Sequence, residues 1–316
     1  MGLFLQLIVV GLYTGAIYSL IALGYTMVYG IIELINFAHG DIFMIGTLVS
    51  ITILSFFGVT GSSNLPLLPL IGILLLSFLG SVLFCALLGV LIERIAYRPL
   101  RNAPRLAPLI SAIGVSLILE DVGKLWKGLD YVLFPTVVQQ VNYKVGPITI
   151  SNISILVIVV SLFLMLGLQW LITRTSIGRA MRAVAQDRDA AALMGVNVDR
   201  IISTTFFIGA GLAGAAAFIF ELQYGVTKFD IGFQLGLVAF TAAVLGGIGN
   251  IVGAMLGGLL IGLIQSVVTY IPDADLPYGL PHGGLAWSQA VVFAILILIL
   301  VFRPSGLLGQ QTPDKV

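Results

Sequence analysis

Nine long stretches of this sequence are almost free of charge. They run over residues 3–29, 41–57, 67–92, 106–120, 152–173, 201–224, 231–247, 251–271 and 287–302. A helix needs about 20 mostly apolar residues to cross the hydrocarbon of a bilayer. Inside a bilayer no water satisfies the backbone, so only helices and closed barrels can span it. Barrel strands alternate apolar and polar side chains over about ten residues, and these stretches are instead apolar nearly all round. The expected fold class is an all-α polytopic membrane protein. It has eight or nine transmembrane helices, some of them interrupted, in one transmembrane domain over 1–316.

Composition excludes the alternatives. The chain is 59% hydrophobic and 9% charged, against roughly 25% charged in soluble proteins. So few charges cannot coat a water-exposed surface, which removes an ordinary soluble enzyme and a disordered regulator. The 15 Lys+Arg against 14 Asp+Glu leave no basic footprint for nucleic acid. One cysteine, Cys85, excludes a disulfide framework and a thiolate zinc site. No metal site is expected, because the two histidines, His39 and His282, lie far apart in sequence.

Basic residues in short loops mark the cytoplasmic side. Arg94, Arg98, Arg101 and Arg105 lie in 93–105; Arg174, Arg179, Arg182, Arg188 and Arg200 lie in 174–200; the tail carries Arg303 and Lys315. These are eleven of the fifteen, and the alternate loops hold Lys124, Lys127, Lys144 and Lys228. The first set is therefore assigned to the cytoplasm, with the N-terminus outside and the C-terminus inside. The first stretch lacks a preceding Lys or Arg and a small-residue cleavage site, and is read as a retained helix rather than a signal peptide.

This sidedness requires two spans between 231 and 271. Gly246, Gly247, Gly249 and Asn250 supply the break, since glycine costs about 1 kcal/mol in a helix interior relative to alanine. Gly40-Asp41-Ile42 and Gly249-Asn250-Ile251 resemble each other: each follows a break and offers an N-capping side chain to the helix it opens. Paired interrupted helices suit an inverted repeat around a central pathway. Close glycine spacing, as at Gly253, Gly257, Gly258 and Gly262, suits tightly packed helices.

Three polar features remain. Asn36, His39 and Asp41 form the densest polar cluster between two apolar spans. They suit either a structural cap and turn or a gate lining the pathway. Glu221, near the end of its span, either reaches water or serves function. From Arg179 to Met194 the composition predicts one short cytoplasmic helix, stopped by Gly195. Arg179, Arg182, Asp187 and Asp189 ring its small residues Ala190 and Ala191, which would fit closely against a partner. The alternative is a solvated loop helix. Gly123-Lys124 lacks the earlier glycine and following Ser or Thr of a phosphate-cradling loop, so no cofactor is expected in this chain.

The residues resemble the LivH-type permeases of bacterial branched-chain amino acid ABC importers nearly end to end. The most specific stretches are Gly24–Ile32, Asn36–Gly40, Ile92–Pro99, Leu109–Gly114 and Ala239–Gly249. Asp189, Ala190, Ala191 and Gly195 resemble the ABC-permease coupling motif, with Asp in place of its Glu. The resemblance implies a related second permease, two ATPase subunits that bind the ATP, and a soluble amino-acid-binding protein, in the bacterial plasma membrane. Related permeases also carry other neutral amino acids, urea or short amides. The loop 272–286 is longer than the resemblance implies. The rival class is a stand-alone secondary transporter or channel in which His39, Asp41 or Glu221 couples to H⁺ or Na⁺. A structural scaffold is a weaker third reading, because it would not need polar residues at helix breaks.

Overall fold

The computed structural model describes residues 2–59, 66–101, 103–104, 106–271 and 284–309. The chain is an all-α polytopic membrane protein. Its helices are α1 (Gly2–Ile32), α2 (His39–Phe56), α3 (Leu67–Ile92), α4 (Leu106–Lys127), α5 (Asn152–Arg174), α6 (Ser176–Gln186), α7 (Arg188–Leu193), α8 (Val198–Tyr224), α9 (Ile231–Gly246), α10 (Ile251–Thr269) and α11 (Gly284–Phe302). Helix α3 continues as a π-helical turn over Glu93–Tyr97. Two short antiparallel pairs join β1 (Val132–Leu133) to β4 (Val226–Thr227) and β2 (Asn142–Val145) to β3 (Ile148–Ser151). Among the described residues each expected span corresponds to one apolar helix, seven of them long enough to cross a membrane, with α9 and most of α11 as shorter apolar helices.

Two expected boundaries change. Helix α4 runs on past residue 120 to Lys127, because Lys124 pairs along the helix with Glu120 at 4.0 Å and Asp121 at 2.9 Å, the spacing that stabilises helices. The helix expected over 179–194 is two helices. Asp187 ends α6 and caps α7, its carboxylate accepting from the N–H groups of Asp189 and Ala190 at 2.9 Å.

Helix α1 runs antiparallel to α10, and small residues set their separation. A Cβ on Gly15 would lie 2.7 Å from the Leu259 Cα, and one on Gly262 would strike Gly15. The Ser19 hydroxyl donates to the Met255 carbonyl at 2.8 Å, so a polar side chain seals the contact. The break after α9 is as expected: Gly247 and Gly249 adopt φ of +106° and +92°, and Asn250 caps α10 by accepting from Gly253 N–H.

The basic segments gather at one end of the bundle. Arg188 donates to the carbonyl of Ile31 at the end of α1, Arg101 pairs with Asp199 at the start of α8, and Leu308 N–H bonds the Gly246 carbonyl beyond Arg303. Lys144 lies on the β2–β3 hairpin at the other end, where Gln6 bonds Thr149. Arg105, Lys315, His282 and 272–283 of the long loop lie outside the described residues.

Candidate pathway and coupling segment

After α1 ends at Ile32, the chain turns back into the bundle. Glu33 takes a positive φ of 54°, and α2 begins well inside the fold. The His39 ring occupies the space that a Cβ on Gly24 would need, and the Gly209 carbonyl lies beside the same glycine. Gly24 is eight residues, about 12 Å of helix, before the end of α1. Helix α9 begins at the same level. A Cβ on Gly40 would strike the Gly232 carbonyl, and one on Gly232 would lie 2.7 Å from Asp41 Oδ1. Two glycines thus let the N-termini of α2 and α9 meet backbone to backbone.

This corrects the capping role expected of Asp41. The N-cap residue of α2 is Ala38, with no side-chain cap, and Asp41 sits in the first turn. Its side chain is wholly buried and accepts from the Ser116 hydroxyl of α4. Asn36, also buried, accepts from the Tyr97 hydroxyl at 3.0 Å. The Tyr25 ring meets His39 edge-on at 4.8 Å between centroids. Asn36 Nδ2, His39 Nε2 and Asp41 Oδ1 are buried without a hydrogen-bond partner. Such groups mark a strained or functional site.

Glu221 does not belong to this cluster. It accepts from Ser50, nine residues along α2 from Asp41, about 13 Å by helix rise. Glu221 does not reach bulk water, because it is wholly buried. It still borders a cavity of about 320 Å³ with Phe134, Gln139, Ser151 and Gln223. Around it the Ser77 hydroxyl donates to the Ser50 carbonyl at 2.9 Å, and Thr47 bonds Thr227 at 2.7 Å. Among the described residues no three His, Cys, Asp or Glu could hold a metal ion.

At the basic end, Thr175 caps α6 by accepting from Gly178 N–H. Met181 and Val184 anchor α6 in the bundle, while Arg179 and Arg182 are exposed. In α7, Asp189 and Ala190 are exposed but Ala191 is only 4% exposed. Ala191 therefore packs into this chain instead of facing outward as expected: with Asp187 as cap, the turn of α7 directs it inward. The outward face ends in Leu193 and Met194, 89% and 85% exposed. Gly195 then reverses the chain at φ +85°. A cavity of about 430 Å³ lies between this segment and the α1–α2 loop, bordered by Glu33, Leu34, Tyr97, Arg101, Asp187 and Arg188.

Sequence reasoning missed a further group. Glu93, wholly buried in the π-helical turn, pairs with Arg98 at 3.3 Å and Arg101 at 2.8 Å and accepts from Ser203 at 2.7 Å. It ties the end of α3 to the start of α8. The available signal was one acidic residue at the end of an apolar run, followed by arginines five and eight positions later.

Comparison with known proteins agrees with this architecture. Residues 7–300 match the family "Branched-chain amino acid transport system / permease component". The chain is 43% identical to the high-affinity branched-chain amino acid transport system permease protein BraD of Pseudomonas aeruginosa, over 99% of this chain and 98% of that protein. It is 40% identical to the permease protein LivH of Escherichia coli K12, with the same coverage. The permease protein LivM of Salmonella typhimurium is 26% identical over 51% of this chain and 34% of its own length. Membrane-spanning architecture and near-complete coverage at these identities give one conclusion: the chain belongs to the family of permease components of branched-chain amino acid transport systems.

Proposed function

We propose that the chain forms half of the transmembrane pathway of an ATP-driven importer for branched-chain or other neutral amino acids. A related second permease supplies the other half, as the partial similarity to LivM suggests. Two ATPase subunits, which bind the ATP, dock on the cytoplasmic helices of the two permeases, α6–α7 in this chain, and a soluble binding protein delivers the amino acid at the opposite end. The membrane is the bacterial plasma membrane, with the N-terminus outside and the basic end in the cytoplasm.

The observation that carries this reading is the exposed apolar tip Leu193–Met194 on a segment otherwise anchored in the bundle. Large apolar side chains at a water-facing end mark a protein interface. The same segment holds the end of α1 through Arg188 and Ile31 and borders the loop that carries Asn36. A push on α7 is therefore delivered to the N-terminal junction of α2. Coupling of this kind requires that the two states differ in their contacts at that interface. Asp187, Asp189 and the nearby arginines fix register by charge, and Gly195 ends the segment. Co-purification in mild detergent tests the reading. Two ATPase subunits should accompany the wild-type chain and be lost when Leu193 and Met194 are both changed to Ser. Retention by the double variant would remove the docking role of this segment.

A further inference from the structure

Depth in the bundle can be counted from α8. Its 27 residues span about 40 Å, so about 30 Å of hydrocarbon centres near its middle, at Gly211. Gly209 packs on Gly24, and Gly24 on His39, which places the first turn of α2 near that centre. Gly232 packs on Gly40 and Asp41, so the first turn of α9 lies there too. Asp230 immediately precedes that turn, and the exposed Gln234 lies within it, its amide 3.4 Å from Asp230 Oδ2.

More charge lies on the same side. Lys228 pairs with Asp230 at 3.5 Å. Two ammonium groups lie against the Phe229 ring, Lys124 at 5.0 Å and Lys228 at 5.1 Å from its centroid. Lys124 in turn pairs with Glu120 and Asp121. Thr227 bonds Thr47, six residues along α2 from Asp41, about 9 Å toward the outer end. The cluster therefore fills the outer half of the hydrocarbon depth. The exposed face of α3 at similar depth is different: Leu75, Leu79, Leu83 and Leu87 are all about half exposed and wholly apolar, as a lipid-facing surface should be.

Asp230 and the unburied amide of Gln234, at the start of α9 near the bilayer centre, cannot face lipid. They must face water or another polar surface. The cluster also places both signs of charge side by side, as a ligand with ammonium and carboxylate on one carbon requires. We propose that Lys124, Lys228, Asp230 and Gln234 line the translocation pathway and engage the α-carboxylate and α-ammonium groups of a zwitterionic amino acid as it passes through the outer half of the bilayer. The lysines serve the carboxylate, and Asp230 and Gln234 the ammonium. The proposal rests on the importer reading above and names the residues along its path.

The test uses the complete complex of both permeases, ATPases and binding protein in proteoliposomes. Cys85 is wholly buried, so the wild type serves as the blank for a charged, water-soluble thiosulfonate. Gln234→Cys should react and Leu83→Cys should not; a Gln234→Cys as inert as Leu83→Cys would overturn the proposal. Asp230→Asn and Lys228→Gln should each lower leucine uptake per ATP hydrolysed roughly tenfold, the scale of a lost charged hydrogen bond. Stimulation of the ATPase by the loaded binding protein should stay at the wild-type level. Uptake within about twofold of wild type in both variants would also overturn the proposal. A wild-type complex whose ATPase ignores the loaded binding protein would sink the importer reading itself.

Discussion

Replacing Gly40 by Ala adds one methyl group where α2 meets α9. That methyl would strike the Gly232 carbonyl and lie 2.9 Å from the Gly236 Cα. Both obstacles are backbone, so no side-chain rotation relieves them. Overpacking of a tight site costs about 1–3 kcal/mol, and backbone obstacles put this site at the upper end. Alanine returns about 1 kcal/mol through helix propensity. The net expectation is a loss of about 2 kcal/mol, or about a thirtyfold shift in the folding equilibrium. Gly114→Ala in α4 is the control, since nothing lies within 4 Å of its added Cβ; it should be neutral or slightly stabilising. Unfolding in mixed micelles titrated with a denaturing detergent measures both. If Gly40→Ala unfolds at the same point as Gly114→Ala, the two helix N-termini do not meet as described.

Three further outcomes are expected. Glu93→Gln keeps the shape of the buried side chain but leaves Arg98 and Arg101 without their shared carboxylate; it should cost about 2 kcal/mol, chiefly through the buried carboxylate and its Arg101 partner, measured by the same titration. Gly195→Val forces a branched residue into positive φ at a cost of at least about 1–2 kcal/mol. It should impair ATPase stimulation and transport while membrane insertion and capture of the loaded binding protein stay intact, whereas full transport would reduce the segment to a solvated loop. Asn250→Ala removes the acceptor for Gly253 N–H and should cost about 1 kcal/mol, read as an earlier unfolding point.

The helices were legible because apolar runs of spanning length have few other solutions, and the Gly246–Asn250 break because its glycines and cap act locally. The boundary errors came from short-range electrostatics. Lys124 could extend α4 only with Glu120 and Asp121 beneath it, and Asp187 could divide α6 from α7 only by turning its carboxylate onto the next two N–H groups. The placement of Asp41 was not legible. Its role depends on Ser116 and Gly232, 75 and 191 positions away, and no local pattern links Gly40 to Gly232. Ala191 misled for a related reason: small residues fit either a partner or the chain's own core, and only the turn set by Asp187 decides between them.

The most direct test of the account is uptake of labelled leucine into proteoliposomes assembled from purified components. Accumulation should require this chain, the second permease, the ATPases, ATP and the loaded binding protein together, and should cease when any one is omitted. Accumulation by this chain alone, driven by an H⁺ or Na⁺ gradient and lost in Asp41→Asn or Glu221→Gln, would contradict it and identify a secondary transporter instead.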